Sequence, residues 1–303
     1  MNEAILYETI RTLASMDDDR AWQAYCAISS QCDVSAPFAH IVLDVARILS
    51  IQPHVLNDAH VVIRHSFEAY PFDYAVIKEG DERFPSSADG MHFLYAYGDM
   101  TLLDQEPVTV LGMRGPSDEA RSAAVSVLRE LMDMGRPVMS TLDTGLDAYS
   151  MLYALNQRMK QIVVLASPLH QCMPEGQKDL MEGIANSGSS VLITPFPPSS
   201  RAQKWFTVPR NGLLVALTDF LVILEERDGG PLWKLASGVM DAGGRVMVTD
   251  TCLENPANTY AARFSRERGV LAYRRRGDLR RHLQTSSPST RRHAGDDGQL
   301  ELF

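Results

Sequence analysis

A strand, a glycine turn and a helix follow one another between residues 108 and 145, and no other stretch constrains the fold as strongly. The apolar run Val108–Leu111 breaks at Gly112 and Gly115, and apolar residues then recur at spacings of three and four behind the capping residue Ser117. The free N–H groups and the positive dipole end of such a helix attract anions such as phosphates. The stretch therefore predicts an α/β sheet with an anion pocket above this helix.

A second glycine turn follows closely. The predicted strand Pro137–Ser140 leads through Gly145 into the apolar helix Tyr149–Leu155. On adjacent parallel strands the two turns would build one pocket, with Arg114 beside it. Neither the dinucleotide fingerprint G-x-G-x-x-G nor the Walker P-loop occurs, which disfavours a classical NAD enzyme and an ATPase. On these residues alone, a phosphate pocket and a purely structural pair of turns both remain open.

Strands and helices continue to alternate up to residue 273. The run Asp219–Glu225 is so apolar that it predicts a central parallel strand. Regular alternation predicts a Rossmann-like, doubly wound parallel sheet. The other predicted elements are strands at 161–167, 190–196, 246–249 and 270–273, helices at 177–185, 210–217 and 232–240, and a last helix starting at Asn255-Pro256.

The first 68 residues carry helical periodicity throughout, with predicted helices at 5–13, 21–28, 38–49 and 55–67. This pattern predicts a small all-helical subdomain at 1–68 ahead of a Rossmann-like domain at 69–283. A loop-like segment from Tyr70 to Glu106 joins them and contains one predicted strand with Phe93, Tyr95 and Tyr97. We expect these aromatic residues to mark where the helices dock on the sheet, with base stacking as the alternative.

The formal charge of −9 argues against indiscriminate binding to nucleic acid, but the charge is unevenly distributed. Ten arginines lie between Arg263 and Arg292, against only Glu267 and Asp278. This block is either a phosphate-contacting surface or a solvated tail. The four cysteines lack metal-ligand or disulfide spacing, and the sequence predicts no metal site and no cofactor.

The sequence contains no apolar run near the roughly 18 residues of a membrane span. The N-terminus also lacks the basic region of a signal peptide. We therefore expect a cytoplasmic protein that does not contact a membrane.

Eight short motifs occur in order: 80–85, 94–99, 110–114, 140–148, 174–177, 196–198, 210–225 and 230–232. Their order resembles the DprA/Smf family of DNA-processing proteins, whose members load a recombinase onto single-stranded DNA. Val110–Arg114 is similar to the family's V-G-S-R signature, and Ser140–Ala148 is similar to S-G-L-A-R-G-I-D-A. The chain departs from these patterns at Met113, Thr144 and Gly212, and two cationic phosphate contacts of the family are missing.

The resemblance implies a non-catalytic protein of DNA recombination or repair that binds single-stranded DNA, forms a homodimer and meets a RecA-type recombinase. The candidate phosphate contacts are Gly112, Arg114, Gly115, Ser117, Ser140, Gly145, Lys178, Lys204, Arg210, Asn211, Lys234, Arg274, Arg275 and Arg276.

The chain ends with Gln299-Leu300-Glu301-Leu302-Phe303, after a polar stretch at 284–298 that predicts a disordered linker. This ending is similar to the Q-L-x-L-F motif that docks bacterial polymerases and repair proteins on the replicative sliding clamp. The expected partner is the β subunit of DNA polymerase III, bound through Gln299, Leu300, Leu302 and Phe303. Folding of the tail back onto its own domain is the alternative.

Two other functions remain open. The DprA-like sheet is related to that of nucleoside-monophosphate phosphoribohydrolases, and Asp147, Glu225 and Glu226 could supply catalytic carboxylates beside Arg114. The P-G-G-x-G-T signature of those enzymes is missing. The third hypothesis is a scaffold without DNA binding, whose only tasks are dimerisation and clamp docking.

Overall fold

Nine strands form one sheet in the computed structural model, which describes residues 1–13, 18–70, 72–88, 90–256 and 258–284. The strand order is β1-β2-β6-β5-β4-β3-β7-β8-β9, with β3 to β9 mutually parallel. At one edge β2 pairs antiparallel with β6, and β1 pairs antiparallel with β2. The strands are β1 Ala75–Lys78, β2 Phe93–Gly98, β3 Val108–Leu111, β4 Val138–Ser140, β5 Gln161–Val164, β6 Ser190–Thr194, β7 Phe220–Ile223, β8 Arg245–Thr249 and β9 Leu271–Tyr273.

The helices are α1 Asn2–Leu13, α2 Asp18–Ser29, α3 Phe38–Leu49, α4 Pro53–Glu68, α5 Asp118–Asp133, α6 Leu146–Asn156, α7 Lys178–Ala185, α8 Thr207–Leu217, α9 Pro231–Asp241, α10 Asp250–Leu253, α11 Thr259–Arg268 and α12 Asp278–Gln284. Short 3-10 turns lie at Met100–Asp104, Glu175–Gln177 and Lys204–Phe206. Among the residues described, no helix has both the length and the apolar character needed to cross a bilayer.

Both faces of the sheet are covered. One hydrophobic cluster joins the sheet to α5, α6, α7, α12 and the N-terminal helices, and a second joins the opposite face to α8, α9 and α11. Strands that are buried on both faces read as continuous apolar runs, as β7 does. The Rossmann-like, doubly wound prediction is confirmed.

The order in which strands are added to the sheet reverses between β3 and β7. The chain adds β4, β5 and β6 on one side of β3 and then crosses to place β7 on the other side. In open α/β sheets, ligands bind in the crevice at such a switch point, outside the carboxyl ends of the strands. Leu111 pairs with Ile223 at this end. The loops after β3 and β7 therefore border the crevice where a site is expected.

The N-terminal helices dock on the sheet through aromatic side chains of β2. Tyr7 of α1 lies 5.2 Å from Phe93, and Phe67 of α4 lies 5.9 Å from Tyr95, measured between ring centroids. Phe93 and Tyr95 are buried, and Tyr97 is half-buried. The docking interpretation is confirmed, and base stacking by Phe93 or Tyr95 is excluded because their rings are covered.

Three elements escape the sequence pattern. Strand β1 has four residues and pairs with β2, the four-residue helix α10 follows β8, and helix α12 occupies part of the arginine block. Helix α12 continues to Gln284, so the predicted linker does not begin before residue 285. The rest of that predicted linker and the clamp-binding residues Gln299, Leu300, Leu302 and Phe303 lie outside the described residues.

Candidate functional site

The turn after β3 is held against the start of α6 by close backbone contacts. A Cβ at Gly112 would lie 2.3 Å from the Cδ1 atom of Leu146, so only glycine fits. The N–H of Gly112 donates to the Asp147 carboxylate at 2.8 Å, and the N–H of Leu146 donates to the Met113 carbonyl at 3.1 Å. The two predicted glycine turns therefore form one unit.

Gly145 supports the turn that carries Arg114. Its φ of +106° lies in the region that favours glycine, and a Cβ there would lie 2.4 Å from the Cα of Arg114. The Arg114 side chain is exposed, and none of the described residues forms an ion pair with it. At the next residue, Gly115, an added Cβ would meet no other atom within 4 Å. The structure thus presents Arg114 to solvent at the switch point, available to an external anion.

The start of α5 is already occupied by an anion from the chain itself. The Glu225 carboxylate, just after β7, accepts hydrogen bonds from the N–H and the Oγ of Ser117, both at 2.8 Å. Ser117 Oγ also caps the helix by accepting from the Ala120 N–H at 3.1 Å. The prediction that Ser117 and Gly112 contact a phosphate is therefore corrected, because their donors are used internally.

Asp147 joins the same internal network. It is buried and accepts hydrogen bonds from Gly112 N–H and from Thr141 Oγ1, the latter at 2.6 Å. Burial raises the pKa of Asp147 to about 7, against the hydrogen bonds that lower it. Ser140, another predicted contact, is fully buried and donates to the Val110 carbonyl at 2.7 Å. Ser140 therefore has a structural role, and its predicted phosphate contact is corrected.

Arg210 joins helix α8 to the turn after β4 instead of facing solvent. It is only 4% exposed, and it forms an ion pair with Asp143 at 2.9 Å. Its Nε donates to the Asn211 side-chain oxygen at 2.9 Å. The prediction of Arg210 as a phosphate contact is corrected, because its buried guanidinium is held by the Asp143 carboxylate. Asn211 engages only its side-chain oxygen here, and its phosphate contact stays a prediction. The pair ties the start of α8 to the turn after β4.

The predicted lysines lie at helix starts, and therefore at the edge of the sheet formed by the carboxyl ends of its parallel strands. They do not form one patch. Lys178 opens α7 on the face of α5 and lies 3.7 Å from Glu182. Lys234 is in the first turn of α9 on the opposite face. Lys204 lies in the 3-10 turn before α8 and is exposed. The Arg210–Asp143 pair joins the segment of Lys204 to the turn after β4, and Lys234 is likewise exposed.

The arginine block does not form a single cationic surface. Arg274 and Arg275 line a cleft of about 500 Å³ together with the acidic residues Glu119, Asp250 and Glu254. Arg276 forms an ion pair with Asp133 at 2.5 Å, at the end of α5. That end lies about 24 Å along the helix from Ser117, at 1.5 Å per residue. Arg276 therefore cannot share a site with Arg114.

Other arginines of the block also have acidic partners. Arg268 pairs with Asp241, and Arg281 lies 3.6 Å from Asp278. Arg291 and Arg292 lie outside the described residues. The block's described arginines thus lie on α11, in the segment after β9 and on α12, and Arg268, Arg274, Arg276 and Arg281 each have an acidic partner within 4.0 Å.

The three carboxylates that the enzyme hypothesis requires are bound to the chain's own groups. Glu226 is buried and accepts from the N–H groups of Arg227 at 2.8 Å and Leu232 at 2.9 Å. Together with the contacts of Glu225 and Asp147, this assigns all three to the support of turns and helix starts. In the described part of the chain, no three His, Cys, Asp or Glu side chains are placed to hold a metal ion.

Two residues near Arg210 were not singled out from the sequence. Asp143 is its partner, and Trp205 is an exposed aromatic residue directly after Lys204. The available signal was local composition, since residues 195 to 218 contain three basic residues and no acidic one.

A comparison with protein families matches residues 75–264 to DNA recombination-mediator protein A. Curated relatives include DNA processing protein DprA of Bacillus subtilis, 23% identical over 164 residues, covering 54% of this chain and 54% of the relative. DprA of Streptococcus pneumoniae is 22% identical over 176 residues, covering 57% and 59%. This chain spans somewhat more than half the length of the curated relatives it matches.

Solved structures of the same fold include DprA from Streptococcus pneumoniae, with a TM-score of 0.65 and 19% identity over 79% of this chain and 86% of that one. A structure of DNA processing protein A from Helicobacter pylori, described for its single-stranded DNA binding mode, has a TM-score of 0.60 and 21% identity, covering 71% and 97%.

Proposed function

This chain belongs to the DNA recombination-mediator protein A (DprA) family, and we propose that it is a DNA-processing protein that binds single-stranded DNA in recombination or repair. The observation that carries the proposal is the exposed Arg114, held at the switch point by its contact with Gly145. The Helicobacter pylori relative, described as binding single-stranded DNA, supports the choice of ligand.

The single-stranded DNA would contact side chains at the rim of the crevice. The Glu225 carboxylate already takes the N–H and the Oγ of Ser117 at the start of α5, so these two donors are not offered to a phosphate. Arg114 and Lys204 supply exposed positive charge, and the Arg210–Asp143 pair fixes the spacing between the segments that carry them. Because the contacts are with phosphates, we expect weak sequence preference and strong salt dependence.

Fluorescence anisotropy of a labelled single-stranded oligonucleotide, at about 50 and 200 mM salt, tests this proposal. We expect Arg114→Ala to weaken binding for all sequences and to reduce the slope of log K against log salt by roughly 0.7, the value for one phosphate contact on a single strand. Arg47→Ala is the matched control, because Arg47 is an exposed arginine on α3, outside the family match.

Equal losses in both variants would argue for a general charge effect. Undetectable binding by the unmodified protein at low salt would overturn the proposal and leave a scaffold without DNA binding.

We also propose that the last five residues dock on the replicative sliding clamp, the β subunit of DNA polymerase III. The support is the sequence Gln299-Leu300-Glu301-Leu302-Phe303, in which three apolar side chains provide anchors for an apolar groove. The full chain would be titrated with purified clamp. Leu302→Ala and Phe303→Ala are expected to abolish binding, whereas Glu301→Ala, at the variable position of the motif, should preserve it. Equal effects of all three substitutions would contradict this docking mode.

Family membership further supports two proposed partners, a second copy of this chain and a RecA-type recombinase. Light scattering over a concentration series tests the homodimer, and a monomer at all concentrations would contradict it. Co-elution with a RecA-type recombinase on single-stranded DNA tests the second partner, with a reaction lacking DNA as the control.

A further inference from the structure

Trp205 presents its indole to solvent at the carboxyl edge of the sheet. It is 62% exposed, whereas Trp233 is 1% exposed and Trp22 is stacked on His92 at 4.2 Å. Among the described phenylalanines, tyrosines and tryptophans, Trp205 is the one that falls in the exposed class. Val208, one turn further along, is also exposed at 72%.

Neighbouring residues fix the inner edge of the Trp205 ring, whereas the outer face of the indole is exposed to solvent. Its ring meets Phe206 edge-on at 4.6 Å, and Phe206 stacks on Phe196 at 3.8 Å in a small buried cluster. The preceding loop is anchored by the Gln171 side chain, which accepts from the Ala202 N–H at 2.8 Å and donates to the Ser200 carbonyl at 3.2 Å. The indole is thus preorganised, which reduces the entropy lost when a ligand binds.

The surroundings of this ring are cationic. Arg201 and Lys204 are exposed, and neither forms an ion pair with a described residue. No acidic residue occurs from 195 to 218, although the chain as a whole carries a formal charge of −9. An aromatic face beside unpaired positive charges suits the bases and phosphates of a single strand, which leaves its bases free to stack.

We propose that Trp205 is a stacking platform for one base of single-stranded DNA, with Arg201 and Lys204 holding the neighbouring phosphates. The inference rests on the proposed function and adds a base contact to it. Contacts connect the platform to Arg114, because Arg210 of α8 pairs with Asp143, two residues before the Gly145 that supports Arg114. A duplex keeps its bases stacked inside and offers none to the indole.

Two oligonucleotides of equal length separate stacking from charge, one of thymidines and one in which the sugars carry no base. The unmodified protein should bind the thymidine strand more tightly, because only that strand can stack. Trp205→Ala should weaken binding to the thymidine strand by roughly 5- to 150-fold, the effect expected for one base. It should leave binding to the abasic strand and the salt dependence nearly unchanged.

Trp205→Phe should restore part of the affinity, since it retains an aromatic face. Val208→Ala is the matched control, because it removes an exposed apolar side chain without an aromatic ring, and it should bind normally. Tryptophan fluorescence should fall on binding in the unmodified protein but not in Trp205→Phe.

If the unmodified protein binds both strands equally and Trp205→Ala changes neither, the stacking proposal fails while the proposed function stands. If the unmodified protein binds neither strand, the proposed function itself fails. Loss of binding to both strands in a folded Trp205→Ala variant would also overturn stacking and indicate a role in shaping the loop.

Discussion

The Glu225 carboxylate accepts both the N–H and the Oγ of Ser117 at 2.8 Å, although the two residues are 108 positions apart. This pair places a negative charge at the start of α5, where Rossmann-like folds commonly hold a phosphate. The Ser117 N–H and Oγ are thereby engaged within the chain, and the Ser117 Oγ in turn accepts from the Ala120 N–H.

Glu225→Ala is expected to lower the free energy of unfolding by about 1–3 kcal/mol, because it leaves the Ser117 N–H without its charged acceptor. Urea denaturation measures the change. Glu119→Ala is the control, since Glu119 is an exposed acid in the first turn of the same helix and should cost less than about 0.5 kcal/mol. Similar losses in both variants would show that helix-dipole charge alone accounts for the effect.

Gly145→Ala is expected to destabilise the protein by about 1–3 kcal/mol, because its positive φ and its contact with the Arg114 backbone leave no room for a Cβ. The displaced turn should also weaken binding of single-stranded DNA, measured by anisotropy. Gly115→Ala is the matched control in the turn after β3, where an added Cβ meets nothing within 4 Å. A neutral Gly145→Ala variant would contradict the role of this contact.

Arg210→Ala is expected to act on stability, with a loss of about 1–3 kcal/mol, because it leaves Asp143 without its partner. Arg114→Ala, on an exposed side chain, should change stability by less than about 0.5 kcal/mol. In a double-mutant cycle with Asp143→Asn, the double variant should lose less stability than the sum of the two single losses. Loss of DNA binding in an Arg210→Ala variant of unchanged stability would instead assign Arg210 a direct contact.

Asp147 should make stability depend on pH. Burial raises its pKa from 3.8 to about 7 in the folded protein. Between these two pKa values the folded state holds a proton that the unfolded state releases. The contribution of Asp147 to the free energy of unfolding is therefore fully present below about pH 4 and is lost as the pH rises to about 7. Its slope is at most about 1.4 kcal/mol per pH unit.

Asp147→Asn removes this titration. The unfolding free energy of the parent minus that of this variant should decrease between pH 4 and pH 7 and stay constant above pH 8. Denaturation midpoints at several pH values measure it. A difference that does not change with pH would show that Asp147 is ionised throughout this range.

The sequence by itself determined the elements that depend on local periodicity. The predicted helix at 38–49 coincides with α3, the alternation after residue 108 gave the doubly wound sheet, and Ser117 caps α5 as its position predicted. Each of these follows from residues within a few positions of one another, because apolar spacing and capping are local properties. The motif order likewise indicated the family without any tertiary contact.

Only the tertiary structure decided which predicted site residues are free. Arg114 remains exposed, whereas Ser117 and Arg210 are engaged by acids 108 and 67 positions away. Strand order brings these partners together, and the periodicity of a single strand carries no information about its neighbours. The same reason explains the missed strand β1, whose four residues are defined by pairing with β2, and the unforeseen exposure of Trp205.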